Sequence, residues 1–260
     1  VKYNTAVVPL LHRDSRVRNQ LRRGLSRHGV RILACRSLEH LHSLYRRELV
    51  DAVVVDVSAY GTDLAAELVE RYPGIPLFAF GAFRPDDGAL LARCRAEGFA
   101  GILVQGVDDT VAADLIGARC ASRRRRQMLG DAIGLLRLSE PLQVQAWHAV
   151  LNSVGSPART SDIAVELKVT REHLSREFAA GGAPNLKRVI DLVRTVWAAD
   201  LLNNPGYDVS TVSRILRFSS ASHLAGSARR VAGVTPSELP HLGPQGVLKR
   251  FLRGRMRSRL

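Results

Sequence analysis

Short apolar runs rich in β-branched residues recur through the first half of the chain, at "TAVVPLL", "VRILAC", "DAVVVD", "IPLFAF" and "GILV". A segment of helical spacing follows each run, so the pattern is a βα unit repeated five times. In the first such helix Val17, Leu21 and Leu25 fall four apart on one face, and Arg16, Arg18, Arg22 and Arg23 take the others. Ser37 is placed to cap a second helix whose Leu38, Leu41, Tyr45 and Leu49 face a core, and Thr62 to cap a third, "DLAAELVERY", stopped by Pro73-Gly74. Such alternation predicts a parallel sheet covered by helices, with any site at the carboxyl ends of the strands. From residue 141 the period becomes helical throughout. "TSDIAVELKVTREHLSREFAA" predicts a helix at 161–167, a turn at 168–169 and a helix at 170–179. "DVSTVSRILRFSSASHLAGSARRVAG" repeats the arrangement near 209–216 and 220–232. Between them Leu186, Ile190, Val193, Trp197 and Leu201 line one side of a long amphipathic helix. The result is two helix-turn-helix units joined by one helix.

The 260 residues are enough for two domains, and 46% hydrophobic with 24% charged residues is the balance of a folded globular protein. The net charge of +14 is unevenly spread. Residues 1–120 carry 16 Lys and Arg against 14 Asp and Glu, and the remainder 22 against 10. The second half is therefore the part expected to meet a polyanion. Three widely spaced cysteines, Cys35, Cys94 and Cys120, argue against a disulfide framework. No apolar run has the length of a membrane span, and the opening residues lack the apolar core and cleavage site of a signal peptide. A cytoplasmic protein with no membrane partner is expected.

Asp56 closes the third apolar run, "DAVVVDVSAYG", at a strand end. Over residues 3–120 the chain resembles the receiver domain of bacterial response regulators, which implies a flavodoxin-like five-stranded parallel sheet with Asp56 at the phosphoacceptor position. The supporting positions are altered. On that resemblance the acidic pair falls on His12 and Arg13, leaving Asp14 as the neighbouring acid. The hydroxyl position falls on Gly81, the lysine on Gln105, the next proline on Gly106 and the aromatic switch on Ile102. Phosphoryl transfer to a carboxylate needs a divalent cation and cationic neutralisation, and an arginine at a metal-ligand position repels the ion. The expectation is a pseudo-receiver in which Asp56 keeps the position without the reaction and pairs instead with Arg13. A phosphorylation-responsive regulator using Asp56 is the alternative.

Over residues 141–240 the chain resembles the AraC/XylS family of transcriptional regulators. The matching residues are Ala164 and Thr170, Leu174 and Phe178, Arg194, Ala198, Leu201 and Leu202, then Val209, Val212, Phe218 and "GVTPSEL" at 233–239. The resemblance implies binding to double-stranded DNA in adjacent major grooves. Base reading is assigned to Arg171, Glu172, Ser175 and Arg176, because arginine pairs bidentately with guanine and glutamate accepts from cytosine. The second unit offers Ala221, Ser222, Ala225 and Gly226 to the groove, so it is expected to hold backbone through Ser219, Ser220, Ala221, Ser222, Arg229 and Arg230. Ala228 stands at a core position usually aromatic, and Arg217 at a turn position usually glycine.

The domains expected are a regulatory or dimerisation unit at 1–120, a basic helical linker at 121–140, a DNA-binding domain at 141–240 and a basic tail at 241–260. Arg123 to Arg126 read either as a solvated face or as a phosphate-touching arm, and Val111, Leu115, Met128, Leu129 and Ile133 as a dimer seam interrupted by Gly130 and Gly134. The tail "GVLKRFLRGRMRSRL" reads as a disordered phosphate-binding arm or as a short amphipathic helix. His40 and His42 point to opposite faces of a helix, which disfavours zinc. His173 and His223 read as core-edge or phosphate contacts. No catalytic constellation, metal site or cofactor is expected. The functional expectation is a sequence-specific DNA-binding regulator, homodimeric, with a partner protein or small-molecule effector acting on its first domain. A protein-interaction module with weak, largely nonspecific DNA binding is a further alternative.

Overall fold

The computed structural model describes residues 7–155, 159–178 and 180–257, with side chains as far as Gly254. Thr5 and Ala6 of the first expected strand, Ala179 at the end of the expected 170–179 helix and residues 258–260 of the tail lie outside the described residues. The chain divides into two compact units. The first runs through Arg124 and also takes in Asn204–Tyr207; the second comprises Arg125–Asn203 and the chain from Asp208 onward.

Strands β1 (Val7–Leu11), β2 (Arg31–Ala34), β3 (Val53–Val55), β4 (Leu77–Gly81) and β5 (Gly101–Val104) form one parallel sheet of order β2-β1-β3-β4-β5. This is the flavodoxin-like arrangement that the alternation of apolar runs predicted. Every residue of β1, β3 and β4 is buried, which is why those strands read as unbroken apolar runs. Around the sheet lie α1 (Ser15–Ser26), α2 (Leu38–Arg47), α4 (Asp63–Arg71), α5 (Gly88–Ala96) and α6 (Ala112–Arg119). A short α3 (Val57–Tyr60) follows β3 directly. Val17, Leu21 and Leu25 of α1 are buried as their spacing requires. Helices α1 and α6 approach closely at Gly24, where a Cβ would meet Ala113 Cβ at 2.4 Å. The Ser37 hydroxyl accepts from the His40 amide at 3.2 Å and caps α2 as expected, whereas Thr62 makes no side-chain cap to α4.

The second unit is helical: α7 (Ala121–Met128), which begins in the first unit, then α8 (Ala132–Leu135), α9 (Pro141–Asn152), α10 (Thr160–Glu166), α11 (Arg171–Phe178), α12 (Leu186–Leu202), α13 (Val209–Ile215), α14 (Ala221–Ala232) and α15 (Leu239–Arg257). The start of α7 is held by Asp51, whose buried carboxylate accepts from the Ser122 amide and hydroxyl at 2.5 and 2.6 Å. Leu186, Ile190, Val193, Trp197 and Leu201 of α12 are all buried, as their spacing predicted. No described helix is long and apolar enough to cross a membrane.

The linker and the tail depart in part from expectation. Arg123, Arg124 and Arg126 are exposed on α7, but Arg125 is 1% exposed, its Nε 2.5 Å from Asp200 Oδ2 and its guanidinium over the Trp197 ring at 5.1 Å. Leu129, expected in a dimer seam, lies in the core at 1% exposure, while Val111 and Leu115 remain exposed. Of the two readings of the tail, the helix is the one formed as far as Arg257, with a kink at Gly243 (φ 65°) before Pro244. Val247, Leu248 and Phe251 bury one side of it, Arg188 covers the Phe251 ring, and Arg250 donates to the Ala232 carbonyl at 3.2 Å. Those three apolar side chains are consumed by packing.

Candidate strand-end site and nucleic-acid interface

Asp56 stands at the carboxyl end of β3, buried at 7% exposure. Its backbone leaves the strand at ψ 91°, and it becomes the N-cap of α3. Oδ1 accepts from the Ser58 hydroxyl at 2.6 Å and from the Ala59 amide at 3.2 Å, and Oδ2 faces His12 Nε2 at 3.9 Å. The carboxylate thus spends one oxygen on its own helix, as a capping aspartate does. Gly81 makes room for this: a Cβ there would lie 2.8 Å from the Ser58 hydroxyl and 3.2 Å from Asp56 Oδ1. The Ser58 hydroxyl occupies the space that a side chain at position 81 would take.

The expected pairing of Asp56 with Arg13 does not form. Arg13 instead donates to the Ala59 carbonyl at 3.1 Å and lies over the Tyr60 ring at 5.5 Å. Its place beside Asp56 is taken by His12, which is buried at 3% exposure and accepts at Nδ1 from the Asp14 amide at 3.0 Å. That bond puts the ring proton on Nε2, toward Asp56. Burial lowers the His12 pKa from its ordinary 6.5, outweighing the attraction of Asp56 and Asp14, so the ring is neutral at pH 7. Asp14 caps α1, with Oδ1 2.7 Å from the Arg16 amide, and its Oδ2 accepts from Gln105 at 3.1 Å. The Arg16 amide bond holds the Asp14 carboxyl below the usual range. Among the described residues no group of three or more His, Cys, Asp or Glu is placed to hold a metal ion, and His42 lies 3.8 Å from Glu67 rather than near another ligand. Cys35, Cys94 and Cys120 are buried and form no disulfide among the described residues.

The two helix-turn-helix units are built alike. In the first, Lys168 takes a left-handed backbone (φ 56°), its amide bonding to Val165 and that of Val169 to Ala164. In the second, Arg217 takes φ 58°, its amide bonding to Arg214 and that of Phe218 to Ser213. Thr170 then caps α11 by accepting from the His173 amide, and Ser220 caps α14 by accepting from that of His223, each at 3.1 Å. Arg171, Glu172, Ser175 and Arg176 are all exposed on α11, opposite the buried Leu174 and Phe178. Arg176 has contacts only at 3.3 Å to His173 and 3.4 Å to Glu177, leaving most of its guanidinium available.

On α14, Ala221 and Ser222 are exposed, and Ala228 fills its core position at 0% exposure. Ser219 and Ser220 are engaged locally: the Ser219 hydroxyl lies 3.0 Å from His223 Nδ1, and Ser220 is the cap. Arg229 and Arg230 are both exposed, and Arg230 also bonds to Asp191 at 3.4 Å and Ser227 at 3.1 Å. His173 is half-buried, and His223 meets the Phe218 ring edge-on.

The buried contacts of two side chains, Gln143 and Arg194, escaped the sequence reading. Gln143, fully buried on α9, donates to the carbonyls of Glu177, Phe178 and Ala180 at 3.1–3.2 Å and so satisfies the end of α11. Arg194 on α12 donates to the Leu216 carbonyl at 2.9 Å and lies 3.9 Å from the centre of the Phe218 ring. Burial lowers the Arg194 pKa from its ordinary value. A glutamine in a helix and an arginine on an apolar helix carry no local mark of such partners.

No protein-family model matches the chain, and no curated protein matches it. Among solved structures it is similar to a response regulator from Thermotoga maritima (16% identity, 44% of this chain and 96% of that one, TM-score 0.40). It is also similar to full-length FixJ from B. japonicum (14% identity, 88% and 98%, TM-score 0.39). A third is RcsB from Salmonella enterica serovar Typhimurium bound to promoter rprA in the presence of the phosphomimetic BeF3- (14% identity, 71% and 97%, TM-score 0.38).

Proposed function

We propose that this chain is a DNA-binding transcriptional regulator of the AraC/XylS type, whose receiver-like unit works without magnesium-dependent phosphorylation of Asp56. The observation that carries the DNA-binding reading is the pair of matching helix-turn-helix units, the first presenting Arg171, Glu172, Ser175 and Arg176 together on one exposed helix face. Side chains of those types, on a helix that follows a tight turn, are what base edges in a major groove require. The second unit, with small residues in the corresponding places and Arg229 exposed, contributes phosphate contact and register.

The phosphorylation reading rests on the strand-end chemistry. Asp56 caps α3, Asp14 caps α1, and a neutral histidine occupies the first position of the expected acidic pair. Carboxylates so engaged give a divalent cation little to bind.

The test is fluorescence anisotropy of the full chain on DNA from upstream of its own gene and on scrambled DNA, across salt, with and without magnesium and acetyl phosphate. Preference for the upstream DNA that is indifferent to the donor supports the reading, with Arg176→Ala relaxing sequence preference and Arg229→Ala weakening both duplexes alike. Equal affinity for both duplexes marks a nonspecific interaction module. A donor-dependent gain abolished by Asp56→Asn marks a phosphorylation switch.

A further inference from the structure

Next to the strand-end site the first unit holds a second concavity, which His12 also lines. It is a half-open recess of about 440 Å³ between the carboxyl ends of β1 and β2 and the flank of α1. Ser15, Arg18 and Arg22 stand at i, i+3 and i+7 on α1 and form one wall. Arg13 follows β1 and Arg36 follows β2, and both reach the same space. Four arginines therefore line one recess, and among the described residues no carboxylate lines it.

The nearby acids do not neutralise this charge. Asp14 and Asp56 accept hydrogen bonds elsewhere, and among the described residues none of Arg13, Arg18, Arg22 and Arg36 forms an ion pair. Cys35, also in the lining, is held neutral by burial, which raises its pKa to about 11. Two of the arginines are fixed in advance. Arg18 donates through one nitrogen to the carbonyls of His12 and Arg13 at 2.7 and 2.6 Å, and Arg13 is tethered to Ala59 over the Tyr60 ring. Arg22 has a 3.4 Å contact to Asn19 and Arg36 is exposed, so both can close on a guest. A guest there meets half of its cationic contacts pre-organised, which lowers the ordering cost of binding.

We propose that this cavity is a binding site for a small organic molecule carrying two or more phosphoryl groups, and that such a ligand is the signal the first unit receives. Guanidinium matches phosphate oxygens in a bidentate fork, and four of them exceed what one phosphate dianion needs for neutrality. The volume is that of a small-molecule pocket. A duplex presents phosphates along a convex surface and meets spread cations, whereas these converge inside a recess. The proposal stands independently of whether the second unit reads DNA.

The test is isothermal titration calorimetry of the full chain, without magnesium and at fixed ionic strength, with pyrophosphate, ATP and inorganic phosphate as probes. The variants are R22Q/R36Q, which leaves the Arg18 and Arg13 bracing intact, and the control R23Q/R27Q, which removes the same charge elsewhere on the unit. The expected result is one site per chain for pyrophosphate and ATP, each tighter than phosphate. R22Q/R36Q then weakens both by about tenfold or more while R23Q/R27Q binds as the parent does. Absence of saturable binding at millimolar probe, or equal weakening in the two double variants, overturns the proposal. So does an R22Q/R36Q chain that binds the probes normally but loses affinity for duplex DNA, which assigns these arginines to nucleic acid.

Discussion

Lys168 and Arg217 hold the same left-handed backbone, φ 56° and 58°, each at the turn of one helix-turn-helix unit. In both, a long cationic side chain occupies a conformation that favours glycine. Lys168 is exposed, and Arg217 gains a 3.3 Å bond from Nε to the Gly155 carbonyl. Lys168→Gly is therefore expected to stabilise the second unit by about 0.5–1 kcal/mol, and Arg217→Gly by less, because the Gly155 bond is lost. Urea denaturation followed by tryptophan fluorescence checks this, since Trp147 and Trp197 both lie in that unit.

His12 gives the first unit a pH dependence. Its pKa is lowered in the folded state, so below its ordinary 6.5 the unfolded chain takes up a proton that the folded chain does not. Stability then falls as pH drops through that value, by at most about 1.4 kcal/mol per pH unit, until the folded ring also protonates. His12→Asn, which can still accept from the Asp14 amide, is expected to flatten the slope between pH 7 and 5. An unchanged slope in thermal melts would remove His12 as its source.

Ser58 and position 81 compete for one volume. Gly81→Thr puts a Cβ within 2.8 Å of the Ser58 hydroxyl and is expected to cost about 1–3 kcal/mol by overpacking. Ser58→Gly combined with it should recover part of that loss, and the coupling in a double-mutant cycle measures the exclusion. Strictly additive effects would show that the two positions do not contend.

Arg125 and Asp200 form a buried pair at 1% and 9% side-chain exposure. Removing one partner strands the other charge away from water, so Asp200→Ala is expected to destabilise the second unit by about 3 kcal/mol or more. Arg125→Met, which leaves a carboxylate at the edge of the same core, tests the reverse loss. A drop below 1 kcal/mol in both would mean that water reaches the pair.

The sequence was most legible where one element's periodicity decides its environment. The five strands, the apolar face of α12 and the capping hydroxyl at 37 follow from local pattern. It was least legible where a side chain answers to a distant partner. Arg125 sits among four arginines and pairs with Asp200, 75 positions away, so it reads locally as solvated charge. The tail hides Val247, Leu248 and Phe251 among basic residues, and Gly243-Pro244 punctuates its helix like a terminus. At the strand end the position of Asp56 was legible, but its neighbour was not. His12 rather than Arg13 faces Asp56, because Arg13 is drawn off to the Ala59 carbonyl and the Tyr60 ring.

Arg194 and Asp191, three positions apart on α12, hold the second helix-turn-helix unit at two places: the end of α13 through the Leu216 carbonyl, and α14 through Arg230. The helix thereby serves as a ruler with its far mark fixed in place. For a chain that reads DNA as proposed, one base pair inserted between the two contacted grooves turns the far site by about 35° around the duplex, and a ruler so clamped has no slack to follow it.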